Sequence, residues 1–202
     1  MKDRGQAFPI YVVAVAGLLF AALAVFVVGQ AATTRSDAQG AADAAALAAA
    51  RDARDHLVGD VSLPTLPAQG WEDLLKGVGL NTDGACEAAS SFAAHNGATV
   101  SSCTPALLSF KVEVQTDRAV GASVIPGTET LHGTADARAV IEPRCRMGPP
   151  ADPAGTPSEN PAEAAGPIKI KCKGGKELTY DPAKPDPWKM LARKLFDVRL
   201  AE

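Results

Sequence analysis

From Ala7 to Val28 the chain carries no charged residue, and Ile10 to Gly29 reads IYVVAVAGLLFAALAVFVVG. About twenty apolar residues at a rise of 1.5 Å make a helix about 30 Å long, which matches a bilayer's hydrocarbon core. A soluble helix is normally apolar along one stripe only, whereas this run is apolar all round. The pattern therefore predicts a single transmembrane helix over residues 10–32. Pro9 fits its first turn, where a missing N–H costs nothing. Lys2 and Arg4 precede it, so the positive-inside rule puts residues 1–9 in the cytoplasm and everything after the helix outside, with Arg35 the one opposing charge nearby. A cleaved signal peptide ending near Gly29-Gln30-Ala31 is the alternative. Signal cores usually run about 7–15 residues, and this run is longer.

Within the span, Ala14, Gly17, Ala21 and Ala24 share one helical face, and Gly17-x-x-x-Ala21 is a small-xxx-small pair of the kind that lets two helices approach closely in lipid. After Thr33, Thr34, Arg35 and Ser36, the segment from Asp37 to Leu57 reads DAQGAADAAALAAARDARDHL. Alanine is the best helix former and only Gly40 opposes it, so residues 33–60 are expected to continue the same helix out of the membrane. Ala38, Ala42, Ala45 and Ala49 repeat the three-four spacing. Because alanine buries little area, this face is expected to suit close packing better than a deep core.

Residues 61–146 read as a small extracytoplasmic α+β domain. Leu63-Pro-Thr-Leu-Pro67 and Gly70 predict a linker. Trp71 to Leu75 predicts a short helix, and Gly84 to His95 a longer one ended by Asn96-Gly97. Phe110, Val112 and Val114 alternate with Lys111, Glu113 and Gln115, a strand signal, and Ala135, Ala137, Ala139 and Ile141 mark a second, weaker strand. Residues 147–167 are proline-rich and polar, which predicts an extended linker. In residues 168–202, Ile168-Lys-Ile-Lys-Cys172 and Glu177-Leu-Thr-Tyr180 flank Gly174-Gly175 as a hairpin. Trp188 to Leu200 closes the chain as an amphipathic helix with Trp188, Leu191, Ala192, Leu195 and Val198 on one face. It is expected to pack on its own domain, with an anionic membrane surface or a partner as the alternative.

Composition sharpens this picture. The chain is 47% hydrophobic but only 5% aromatic, so the part outside the span has a thin supply of large apolar side chains. A net charge of −3 with no basic block disfavours nucleic acid as a partner. Cys86, Cys103, Cys145 and Cys172 in an exported segment predict two disulfides. Nearness along the chain favours Cys86–Cys103 and Cys145–Cys172 among the three possible pairings. No C-x-x-C pair suggests zinc, and His56, His95 and His132 lack ligand spacing. No nucleophile elbow, Walker loop or H-E-x-x-H motif occurs, so no catalytic, cofactor-binding or metal-ligating residue is expected and the chain does not read as an enzyme.

Arg4-Gly-Gln-Ala-Phe-Pro9, the apolar span, and then Gln39-Gly-Ala-Ala-Asp43-Ala-Ala-Ala-Leu47-Ala-Ala-Ala50 resemble the N-terminal region of TadE/TadG-like proteins, over about the first quarter of the chain. Those are small membrane proteins of Flp (tight adherence) pilus assembly, a branch of the type IV pilus and secretion machinery. The resemblance implies a membrane-anchored structural or assembly component whose partners are the bilayer, other pilus or secretion subunits, and other copies of itself. It also implies prepilin-type processing after Gly5, although the fifth residue beyond is Ile10 where such substrates usually carry glutamate. The D-x-S-x-S metal site of longer TadG-like members does not occur. A different class of function, an exported binding module for a ligand or cell wall tethered by the helix, is the alternative.

Overall fold

The computed structural model describes residues 7–57, 62–79, 81–119, 130–148 and 167–201. One α-helix, α1 (Ala7–Asp55), runs for 49 residues without a break, about 73 Å at the usual rise. At the junction between its two halves, the Thr33 and Thr34 hydroxyls donate to the Gly29 and Gln30 carbonyls at 3.0 and 3.2 Å. These polar side chains are thereby satisfied within the helix itself.

Next come a 3₁₀ turn (Leu63–Thr65) and the helices α2 (Ala68–Leu75) and α3 (Ala85–His95). Gly70, expected in a linker, lies inside α2. The strands β1 (Ala98–Ala106), β2 (Ser109–Ala119) and β3 (His132–Pro143) form an antiparallel meander. Sequence periodicity does not reveal β1. Its run of Ser, Thr and Cys has no apolar alternation, and it holds its place as an edge strand, where Pro105 loses no ladder bond that matters.

A second sheet is made of β4 (Cys145–Met147), β5 (Ile168–Cys172) and β6 (Glu177–Tyr180), all antiparallel. The expected hairpin is thus two strands of three. Met147, assigned to a linker from the sequence, ends β4; residues 149–166 of that linker lie outside the described residues. The chain then forms α4 (Trp188–Leu195) and β7 (Phe196–Leu200). The amphipathic helix expected to reach Leu200 therefore stops at Leu195. Phe196-Asp-Val-Arg-Leu200 alternates buried and exposed positions, and it pairs with the open edge of β3, from Pro143↔Phe196 to Ala139↔Leu200. A strand ladder there satisfies the backbone of β3, which helix continuation would leave unpaired.

The four-stranded sheet, in the order β1-β2-β3-β7, carries α1 and α3 on one face. Its inward positions place large residues of β2 opposite alanines of β3: Phe110 beside Ala139, and Val112 beside Ala137. The alanines of β3 receive the second half of α1, in which Ala38, Ala41, Ala42, Ala45, Ala46, Ala49, Ala50 and Ala53 are all almost fully buried. Small side chains on both elements allow the backbones to approach closely. The Ala-rich helix is therefore the spine of the core: the close packing expected of this face is present, but it serves a core rather than replacing one. What alanine lacks in area is supplied by Trp71, Phe110, Ile141, Ile170, Leu191, Leu195 and Phe196, all buried in the same continuous cluster. Trp71 meets Tyr180 with ring centroids 4.9 Å apart, joining α2 to the second sheet.

Two disulfides complete the domain. Cys86 on α3 bonds Cys103 on β1, and Cys145 bonds Cys172 across a directly paired position of β4 and β5. This is the pairing that nearness along the chain favours.

Candidate assembly surface

The first half of α1 touches nothing else among the described residues. Phe8, Ile10, Tyr11, Leu18, Phe20, Val25 and Val28 are each roughly 70% exposed or more. Among the described residues this is the one helix long and apolar enough to cross a membrane, with a mean hydropathy of 2.8 over its most apolar stretch. An uninterrupted apolar surface of this size is far larger than a monomer in water normally leaves bare.

Ala14, Gly17, Ala21 and Ala24 lie on this surface and are all exposed. A Cβ added to Gly17 would meet no atom within 4 Å. Among the described residues, the chain itself thus brings nothing to the stripe. Gly5 lies outside the described residues.

The second half of α1 is anchored by specific contacts. The Gln39 amide donates to Asp43 at 2.9 Å and to the Asp136 carbonyl of β3 at 3.4 Å. In the segment Gln39–Ala50 the alanines lie under the sheet and α3, while Gln39 fastens the helix to β3 from the side. Gly133, at the start of β3, crosses α1 so closely that a Cβ there would lie 2.7 Å from the Thr34 carbonyl oxygen. At the far end, Asp55 accepts from Arg54 at 2.8 Å and from Arg193 of α4 at 3.2 Å. Along the uncovered side of the helix run Gly40, Asp43, Leu47 and Arg51, all partly or fully exposed.

Ionisable groups play structural parts. Glu142 on β3 accepts from Lys173, after β5, and from Arg199 Nε on β7 at 3.0 Å, so one carboxylate ties the two sheets together. These hydrogen bonds hold its carboxyl below the ordinary glutamate range, Lys173 contributing most. Burial pushes the Tyr180 phenol up, with the nearby Asp181 charge adding to it. Lys111 is raised by its contact with Glu113 at 2.9 Å and by Asp136.

The three histidines are dispersed. His56 faces the Asp52 carbonyl, His132 the Thr116 carbonyl, and His95 the ring of Phe92. Among the described residues no three His, Cys, Asp or Glu side chains converge in a way that could hold a metal ion.

Residues 5–52 match the family described as putative Flp pilus-assembly TadE/G-like. The matched segment ends three residues short of the end of α1, so the resemblance covers the helix and excludes the sheets. No curated protein and no solved structure matches the chain.

Proposed function

We propose that the chain is a membrane-anchored structural component of a Flp or type IV-like pilus or secretion machinery, with its N-terminus cytoplasmic and its sheet domain outside the membrane. It acts by contact, through the stripe Ala14, Gly17, Ala21 and Ala24 within the bilayer and through the sheet domain beyond it. Its partners are other subunits of the machinery and further copies of itself; catalysis forms no part of the role.

One observation carries this reading: the apolar half of α1 is bare and the other half is the spine of the folded domain, within a single unbroken helix. A simple tether needs no such continuity, because a flexible joint would serve it equally well. Here, whatever grips the apolar half also sets where the sheet domain stands. The match of residues 5–52 to pilus-assembly proteins supports the same role.

Cysteines placed singly at Ala14, Gly17, Ala21 and Ala24 test it by crosslinking in membranes. Trapped complexes with itself or a pilus subunit are expected along this stripe. Trapping only on the opposite face, at Leu19 or Phe26, removes the stripe as the contact. Full function after exchange of Ile10–Gly29 for an unrelated apolar span favours an exported binding module instead.

A further inference from the structure

We infer that the outer face of the β4–β5–β6 sheet is a binding surface for an anionic polymer, one whose phosphate or carboxylate groups repeat along its chain. Strand pairing places Arg146 directly opposite Lys171, and Lys169 two positions along from Lys171 on the same face. Arg144 and Lys173 flank this pair, and together with Arg146 and Lys171 they line an open cavity of about 480 Å³ beside the Gly174–Gly175 turn. All five cations are exposed. Against them the face sets Glu177, 3.9 Å from Lys171, and Thr179 opposite Lys169. Lys173 is also engaged by Glu142. Among the described residues, Arg144, Arg146 and Lys169 make no ion pair. A chain of net charge −3 thus concentrates cations on a three-stranded sheet.

The fold does not need this arrangement. Like charges directly opposite on neighbouring strands destabilise a sheet. The register pair beside Arg146 and Lys171 is the disulfide Cys145–Cys172, which holds the two strands, and so the two cations, together. A costly juxtaposition held in place by a covalent bond is accounted for by an anion that bridges it.

The side chains of the face select among anions. It presents no aromatic or large apolar residue, whereas protein interfaces draw most of their energy from such anchors. Cations at regular strand spacing suit a polymer that offers charge after charge. The anchoring bilayer is the wrong source. β3 begins against Thr34 and ends next to β4, which puts the face about 35 Å along the strand from the end of the apolar segment. That is several Debye lengths at physiological salt.

The test uses the full chain in detergent micelles with two labelled probes, inorganic polyphosphate and polygalacturonate, at low and at physiological salt. At least one probe is expected to bind, with affinity falling as salt rises. The Arg146→Gln, Lys171→Gln double variant should bind about tenfold more weakly or worse, with a shallower salt dependence. Lys184→Gln with Lys189→Gln removes the same charge elsewhere and should change affinity less than about twofold. If the first pair lowers the thermal midpoint, Lys169→Gln replaces it and the same ordering is required. Tighter binding of polyphosphate assigns phosphate, and tighter binding of polygalacturonate assigns carboxylate. The inference is overturned if neither probe binds or if the control pair weakens binding equally.

Discussion

Gly133 lies against Thr34 with no room between them for a methyl group. This crossing is the last grip of the sheet on α1 before the helix leaves the folded domain. Any side chain at residue 133 must push β3 away from the Thr34 carbonyl, and backbone cannot yield as a flexible side chain does. Gly133→Val is therefore expected to cost about 1–3 kcal/mol, the usual range for overpacking. Urea denaturation of the purified chain measures it; an unchanged midpoint would show that the crossing is looser than described.

The two sides of α1 should respond oppositely to substitution. Ala49 is fully buried in the core cluster, so Ala49→Leu should destabilise by about 1–3 kcal/mol. Gly40 is exposed and a Cβ there meets nothing within 4 Å. Gly40→Ala should therefore stabilise by about 0.5–1 kcal/mol through helix propensity alone. Thermal melts of both variants check the signs. Destabilisation by Gly40→Ala would mean that the uncovered side of the helix is occupied.

How much of this was legible in the sequence depended on where periodicity had a single explanation. The helix over the apolar run, the strand at Phe110–Val114 and the short helices near Trp71 and Ala89 follow from local pattern alone, and the structure has them. The place of the run of alanines does not follow in this way. Alanine at three-four spacing suits a helix contact in lipid and a close-packed core equally, and only the facing alanines of β3 decide between them. Val198 could extend the apolar face of a helix or, with Leu200, alternate in a strand. The free edge of β3, which no local pattern announces, made them a strand. The cationic face was hidden for a similar reason: Arg144, Arg146, Lys169, Lys171 and Lys173 come from two separated segments and form no block in the sequence.

Glu142 predicts an acid-sensitive joint between the sheets. Its folded pKa is lowered by Lys173 and Arg199, so its contribution is fully present above its ordinary value near 4.5 and is lost as pH falls through the lowered one. Glu142→Gln should be less stable than the natural chain at neutral pH, and the gap should close on acidification below about 4.5. Urea midpoints taken across pH 3 to 7 follow it. A gap that stays constant would assign the loss to packing rather than charge.

Each disulfide should matter through the loop it closes, with a dependence on loop length that is only logarithmic. The sequence separations are 17 for Cys86–Cys103 and 27 for Cys145–Cys172. Loops of this size predict a loss of about 3 kcal/mol when either pair is replaced by alanine, a substantial part of a small domain's stability. Melting under non-reducing conditions gives the two losses separately. If both pairs can be removed with little change, the alanine spine and its surrounding aromatics suffice to hold the domain.

The continuity of α1 also gives the protein a rotational phase. Successive residues turn by about 100° around a helix axis, so one alanine inserted between Gly29 and Thr33 would swing the whole sheet domain by about that angle relative to the stripe at Ala14 and Gly17. Seven inserted residues, nearly two full turns, would return it to within about 20° while lifting it about 10 Å. A helix that merely tethers is indifferent to this series, whereas one that orients its domain loses and regains function with the period of the helix.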